Sequence, residues 1–361
     1  NLMKFLSLSS VDWLLMLGVV ILLVFSLVTL FSVDFEIFRS QFLFSILSIV
    51  IFLVFSQFNS SVLRHYSLHI YVASVILLTA VLFFGAESRG SVRWFSIFGV
   101  GIQFSEILKP FLAISFSGFL ANLNNYSFKP FVISLIFLFP IAFLIFKQPD
   151  LGNAMIYIFV VLGTLIIYGY PFRWFAGGFL IWLLSLPFLW LIFHDYQKQR
   201  ILTFINPTRD PLGTSYNAIQ AIIAVGSGMI IGRGLGQGTQ SGLSFLPEQH
   251  TDFIFATISE ELGFIGSLII VGAFAFIFYR LFLKIKNSDD KFSKTFSIIV
   301  FFTLFVHFFI NVGMNIGIVP IVGVTLPFVS YGGSSLLSNF IFLGLLVAIN
   351  KKKRREVLEI G

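Results

Sequence analysis

Asp252 is the residue whose type and setting best suit chemistry. It closes the polar run Phe245-Leu246-Pro247-Glu248-Gln249-His250-Thr251-Asp252 and is followed at once by Phe253-Ile254-Phe255. A carboxylate at such a boundary is partly desolvated, a setting that suits it to take up a proton as a general base. An acid just ahead of an apolar run is also an ordinary helix cap, and spacing alone does not choose between the two. Glu248 and His250 add polar contacts, and His250 offers a metal ligand, although one histidine among acids is a thin ligand set. Glu106 and Lys109 are three apart and share a helix face, so they can pair. Such a pair presents a carboxylate and an ammonium to a polar ligand, or simply anchors a helix end. Gln148 and Asp150 flank Pro149 just before Gly152; a turn explains the proline and the glycine but not the two polar side chains.

Further polar groups recur along the chain. Residues 195 to 252 carry Arg200, Arg209 and Gln220, then glycines at 226, 228, 232, 234, 236, 238 and 242. Glycines let backbone approach a ligand closely, and free amides can hold phosphate oxygens, but no Gly-Lys-Ser/Thr follows; a plain hinge fits as well. Near the C-terminus Asn311, Asn315, Pro320 and Pro327 lead into Ser330-Tyr331-Gly332-Gly333-Ser334-Ser335, an uncharged polar link between apolar runs. His307 reads as a hydrogen-bonded interior histidine.

The elements that must position these groups follow from composition. Of 361 residues 57% are hydrophobic and only 11% charged, with mean hydropathy +0.97. A soluble chain carries about a quarter charged residues, so a soluble enzyme, a disordered protein and a nucleic-acid-binding module are excluded. The net charge of +7 reads as basic loops beside a membrane. Without cysteine there is no disulfide, thiolate nucleophile or Cys-ligated metal. The 49 phenylalanines are expected to face lipid. Uncharged runs at 13 to 33, 40 to 63, 65 to 86, 110 to 128, 130 to 146, 151 to 172, 174 to 194 and 262 to 279 are candidate spans. The stretch 295 to 350, broken by Gly317, Pro320, Gly323, Pro327 and Tyr331-Gly332-Gly333, reads as two more around a loop. The expectation is an all-α, polytopic integral membrane protein of about ten spans. The first run is too long, and too continuous with the next, for a cleavable signal.

Ten spans put both termini on one side. Lys4, Arg64, Lys129, Arg173, five basic residues at 280 to 294 and five at 351 to 355 place 14 cations against five acids on that face. The other face holds nine cations against eleven acids, so the first is cytoplasmic. This gives one transmembrane domain over 1–361, with a large extracytoplasmic loop at 195–252 and a cytoplasmic basic tail at 351–361. Residues 211–232 are expected to be re-entrant or surface-lying, because a span there would invert the charge bias. No internal repeat is evident, which weakens a transporter built as two halves. Most acids fall outside, next to membrane entry points, where charge is costly and usually functional; interfacial snorkelling accounts equally well for any one of them alone.

Taken together, the spans, Gln148-Pro149-Asp150-Leu151-Gly152, the segment 245–255 and Leu326-Pro327-Phe328-Val329-Ser330-Tyr331-Gly332-Gly333-Ser334-Ser335 resemble the SEDS family, the shape, elongation, division and sporulation proteins. The resemblance covers essentially the whole chain. Pro247-Glu248-Gln249-His250-Thr251-Asp252 is closer to elongation-type members than to division-type ones, which usually differ at the Gln249 position. The resemblance implies an inverting peptidoglycan glycosyltransferase that polymerises lipid II, a disaccharide-peptide on a polyprenyl diphosphate. The site would lie at the outer face of a bacterial plasma membrane and serve elongation and rod-shape maintenance. It implies Asp252 as the catalytic base. Arg93, Glu106, Lys109, Gln148, Asp150, Arg200, Arg209, Gln220, Glu248, His250, Ser330 and Ser334 are then expected to meet substrate. The implied partners are a class B penicillin-binding protein transpeptidase and other elongation-complex membrane proteins, with no nucleic acid. No cofactor is firmly implied; a divalent cation, Mg2+ or Mn2+, is compatible with a diphosphate leaving group. The competing reading is a flippase or transporter of the same lipid-linked precursor, with a structural scaffold as a third. A conduction route needs ionisable residues in the middle and inner half of the membrane, where the sequence offers mainly His307.

Overall fold

The computed structural model describes residues 11–88, 91–97, 100–123, 127–193, 195–206, 213, 215–243 and 245–351. Arg209, the side chain of Arg200 and the basic tail beyond Lys351 lie outside the described residues. Ten apolar helices follow one another: α1 Trp13–Val33, α2 Phe35–Phe55, α3 Ser67–Phe84, α4 Lys109–Ala121, α5 Phe128–Lys147, α6 Leu151–Ile167, α7 Phe172–Ile192, α8 Ile254–Lys286, α9 Lys291–Asn315 and α10 Gly333–Ile349. In hydrocarbon an unbroken helix is the form that bonds every backbone amide and carbonyl within its own segment. Short acids set the ends. Asp12 accepts Leu15 N at 3.1 Å, Asp290 accepts Ser293 N at 2.7 Å, and Asp34, the single residue between α1 and α2, accepts Glu36 N at 2.7 Å. Because Asp34 caps it, α2 starts at Phe35, ahead of the uncharged run at 40, and takes Glu36 and Arg39 into its first turns.

Almost every residue of α10 is buried, which makes it the centre of the bundle. It crosses α2 so closely at Gly344 that a Cβ there would lie 2.8 Å from Phe52 O. Phenylalanine does not only face lipid, as expected: Phe253, Phe274, Phe292, Phe296, Phe328, Phe340 and Phe342 are among the largest fully buried side chains. Broad rings fill the gaps between helices and meet at favourable angles, as Phe328 and Phe340 do edge-to-face at 5.9 Å. At one end of α1 and α8, Arg280 grips Asp12 at 2.9 and 3.0 Å, joining two residues that the charge bias places on one face.

Between α3 and α4 the chain adds what the all-α expectation did not contain. β1 Ala86–Ser88, β2 Ser91–Ile97 and β3 Val100–Gln103 form a small antiparallel sheet in that order, with Trp94 opposite Gln103. Its segments are too short to show as a period in an otherwise apolar chain.

The loop after α7 contains the helices Asp195–Ile205, Tyr216–Ser227 and Thr239–Gly242. It docks on a break in α8. Gly263 has φ 65° and ψ −160°, so residues 254–262 form a short helix of their own and 264–286 form the span. A break orphans the last carbonyls of one piece and the first amides of the next. Here the loop supplies their partners: Arg233 N donates to Glu260 O at 2.9 Å and Gly234 N to Glu261 O at 3.0 Å, while Phe264 N donates to Met229 O at 2.9 Å. Gly228 and Gly232 permit this approach, since a Cβ at either would strike Ser259 O or Glu261 O. At these two positions glycine serves a backbone splice, not the hinge or phosphate cradle that the sequence left open.

Candidate active site

Along α9, Thr303, His307, Asn311 and Asn315 recur every four residues and are all buried, forming a polar stripe on one face of an apolar helix. Its C-terminal end holds the main chain at Asp252. Asn311 Nδ2 donates to Asp252 O at 2.9 Å and to Val324 O at 2.7 Å; Asn315 Nδ2 donates to Asp252 O at 3.1 Å. Asn315 Oδ1 also accepts Ala256 N at 3.0 Å, pinning the first turn of the short helix. From the other side the loop before α10 grips the same segment. Ser330 Oγ donates to Thr251 O at 2.6 Å, and Tyr331 N donates to His250 O at 2.8 Å. That loop is itself held by Gln41 of α2, whose Nε2 donates to Ser330 O at 3.2 Å while its Oε1 accepts Gly332 N at 3.3 Å.

With its backbone clamped twice, Asp252 keeps its side chain half-buried. The carboxylate faces residues 322–324: a Cβ on Gly323 would lie 3.4 Å from Oδ2. Gly152 packs on the same segment, where a Cβ would come 2.6 Å from Val322 O. The turn at 148–152 and the run at 247–252 therefore converge on one short stretch of backbone. Phe253, not Asp252, occupies the N-cap position of the following helix.

A second polar network lies beneath. Asp150 caps α6, and its Oδ2 accepts Gln103 Nε2 at 2.7 Å and Asn153 Nδ2 at 2.9 Å. Gln103 N in turn donates to Ser334 Oγ at 3.1 Å. Lys109 Nζ donates to Glu106 Oε1 at 2.7 Å and lies 2.8 Å from His307 Nε2. His307 Nδ1 is 3.1 Å from Thr325 O, a carbonyl that only accepts, so Nδ1 carries the ring proton and Nε2 accepts a hydrogen bond from Lys109 Nζ. A small apolar cavity of about 40 Å³ adjoins Lys109 between α4, α5, α6 and α9, lined by Leu112, Phe116, Leu138, Ile141 and Val160 among others.

The residues singled out in the sequence thus separate into two sets. Asp252, His250 and Glu248 lie together on a partly open surface. Glu106, Lys109, Gln148, Asp150, Ser330 and Ser334 are buried and bonded within the protein, Gln148 through Leu78 O at 2.9 Å. These six frame the site from behind. Arg93 is half-buried on β2 and Gln220 half-buried on the helix Tyr216–Ser227. The sequence reading missed Gln41, Asn153, Glu260 and Glu261. Their signal was present: a lone amide inside an apolar run at 41, and two consecutive acids at the mouth of a span. Among the described residues no three His, Asp or Glu side chains come together as a metal site.

Removing one clamp should be measurable. Asn311→Ala leaves Val324 O without this donor and Asp252 O with only Asn315; the expected cost is about 1–3 kcal/mol, seen as a lower unfolding midpoint in detergent. An unchanged midpoint would mean that the stripe carries no stability.

Comparison with known proteins bears on what this geometry belongs to. The family model described as cell cycle protein, FtsW/RodA/SpoVE, matches residues 5–355. The peptidoglycan glycosyltransferase MrdB of Escherichia coli K12 is 36% identical over 310 residues, covering 85% of this chain and 84% of that protein. The probable peptidoglycan glycosyltransferase FtsW of Wigglesworthia glossinidia brevipalpis is 37% identical over 319 residues, covering 86% and 82%. A solved chain from a peptidoglycan synthase complex that coordinates polymerization and crosslinking superposes with TM-score 0.83 at 27% identity, covering 94% of this chain and 97% of that one. The rod shape determining protein RodA of Thermus thermophilus, at 24% identity and TM-score 0.72 over 94% and 96%, shares the fold. The chain belongs to the FtsW/RodA/SpoVE family of cell cycle proteins, the SEDS family.

Proposed function

We propose that this protein is a peptidoglycan glycosyltransferase that polymerises lipid II at the outer face of a bacterial plasma membrane, in elongation and rod-shape maintenance, with Asp252 as its base. One observation carries the assignment of the base: a half-exposed carboxylate whose own carbonyl is held from α9 and whose preceding residue, Thr251, is held from the loop before α10. In the reaction the Asp252 carboxylate takes the proton of the acceptor GlcNAc 4-hydroxyl as that oxygen attacks the anomeric carbon of the donor MurNAc. The bond from that carbon to the lipid diphosphate breaks, its electron pair leaves on the phosphate oxygen, and the configuration inverts. A diphosphate leaves without a protonating partner, so one carboxylate suffices where a glycosidase needs two.

Glu248 and His250, on the same run as Asp252, are placed to contact the sugars, with Arg93 and Gln220 as further contacts. Arg200 and Arg209 stand for the diphosphate charge, on sequence position alone. The buried Glu106, Lys109, Gln148, Asp150, Ser330 and Ser334 act by holding the turns that face substrate. A divalent cation, Mg2+ or Mn2+, would be held chiefly by diphosphate oxygens and would offset the charge developing there.

Both termini are assigned to the cytoplasm and residues 195–252 to the outside. The working partner is a class B penicillin-binding protein transpeptidase, with other membrane proteins of the elongation complex. The polar stripe on α9 favours polymerisation over flipping of the precursor: from Thr303 back to Thr295 the helix carries no ionisable residue, only the buried hydroxyls of Ser297 and Thr295 among apolar side chains. The test is the full chain with its transpeptidase in detergent, given lipid II and Mg2+ or Mn2+. Glycan strands are expected; lipid II recovered intact, beside vesicles in which the same protein flips it, would replace this reading with the alternative.

A further inference from the structure

Glu260 and Glu261 are the two acids for which this mechanism has no use. Both are fully buried on the short helix 254–262, and neither forms an ion pair within 4.0 Å among the described residues. Their oxygens are occupied by donors from elsewhere in the fold. Glu260 Oε1 accepts Gln240 N at 2.8 Å and Thr239 Oγ1 at 3.2 Å, and Oε2 accepts Ser241 N at 2.9 Å and Ser241 Oγ at 2.8 Å. Glu261 Oε1 accepts Gly236 N at 2.9 Å, and Ser32 Oγ at the outer end of α1 reaches its Oε2 at 2.7 Å. With the carbonyls of the same two residues taking Arg233 N and Gly234 N, the loop 233–241 is fastened to the C-terminal end of this helix. Asp252 stands just beyond the other end, about 13 Å away for nine helical residues.

We propose that Glu260 and Glu261 are positioning residues for glycosyl transfer: by clasping the loop 233–241 and α1 they fix the direction in which the short helix presents Asp252. The break at Gly263 makes this necessary, because the short helix is not in line with the span that follows and cannot take its orientation from it. The chemistry of the clasp requires a carboxylate. The four groups around Glu260 include two backbone amides, one at each oxygen, which only donate, and an ionised carboxylate only accepts. Glutamine matches one side and sets its own amide against a second N–H on the other.

The inference rests on the polymerase reading and is tested in a way that separates the two. Glu260→Gln, in the full chain with its transpeptidase, is compared with the parent on lipid II, with hydrogen exchange followed over 228–255. The expected result is a kcat lower by tenfold or more with KM within about twofold, and faster exchange both in the loop and at 250–255. Glu260→Asp, an acceptor at shorter reach, should recover part of kcat. Gly238→Ala attacks the same clasp from the loop, because its Cβ would lie 2.7 Å from Glu260 Oε2, and should reproduce the kcat loss. If Glu260→Gln does not fold, the kcat and exchange of Gly238→Ala decide. A loop that exchanges faster while kcat stays at the parent value overturns the inference, as does a loss equal to the fraction unfolded. A parent that makes no polymer overturns the functional reading instead.

Discussion

Asp252→Asn is expected to yield a folded membrane protein that still binds lipid II and polymerises it ~10²–10⁴-fold more slowly, the range for loss of a general base. The amide keeps the size of the carboxylate but takes up no proton at neutral pH. Asn311 and Asn315 hold the position by its main-chain carbonyl, and the substitution leaves these two bonds intact. KM should move by no more than a few-fold, because the role ends with the proton. Asp252→Ala should be as inactive, which separates loss of the proton acceptor from any contact made by the new amide. Retention of a tenth of the parent rate by either variant, at equal folded protein, would take the base role away from Asp252.

The second large effect is on stability. Lys109 and Glu106 are 5% and 7% exposed, so Lys109→Met strands a carboxylate in the core and removes the donor to His307 Nε2. Breaking one partner of a buried pair costs about 3–5 kcal/mol, whereas replacing both is often close to neutral. The double variant Glu106→Gln with Lys109→Met is therefore expected to unfold close to the parent midpoint in detergent, and Lys109→Met alone well below it. Equal midpoints for parent and single variant would show that the pair carries no stability. A double variant as unstable as the sum of the two singles would show that they do not act together.

The ten apolar helices, seven of them long and apolar enough to cross a membrane, were legible because apolar length and scarce charge dominate such a chain, and the run from Glu248 to Asp252 was legible because a polar segment meets an apolar one there. The contacts that hold these groups in place were harder to see. The stripe Thr303, His307, Asn311 and Asn315 has a plain four-residue spacing, yet spacing does not say that it binds the backbone of residues some 60 positions away. Gln148 and Asp150 stand out in the sequence as polar side chains that a turn does not require; spacing does not show that they are buried and bonded to Leu78, Gln103 and Asn153. The glycine series invited a ligand cradle because glycine is ambiguous in sequence: close approach to a substrate and close approach to a broken helix require the same missing Cβ. Glu260 and Glu261 show as two consecutive acids at the mouth of a span, but their partners are mostly backbone amides and hydroxyls, so nothing in the chain says what they bind.

The central claim is that the side chain at 252 opens to the outer aqueous side within the polar frame. Because the chain has no cysteine, Asp252→Cys provides a single thiol for labelling with a membrane-impermeant maleimide in intact spheroplasts. Labelling without permeabilisation, slowed when lipid II is supplied, is the predicted result. Labelling only after the membrane is opened, or none at all in a folded protein, would contradict it.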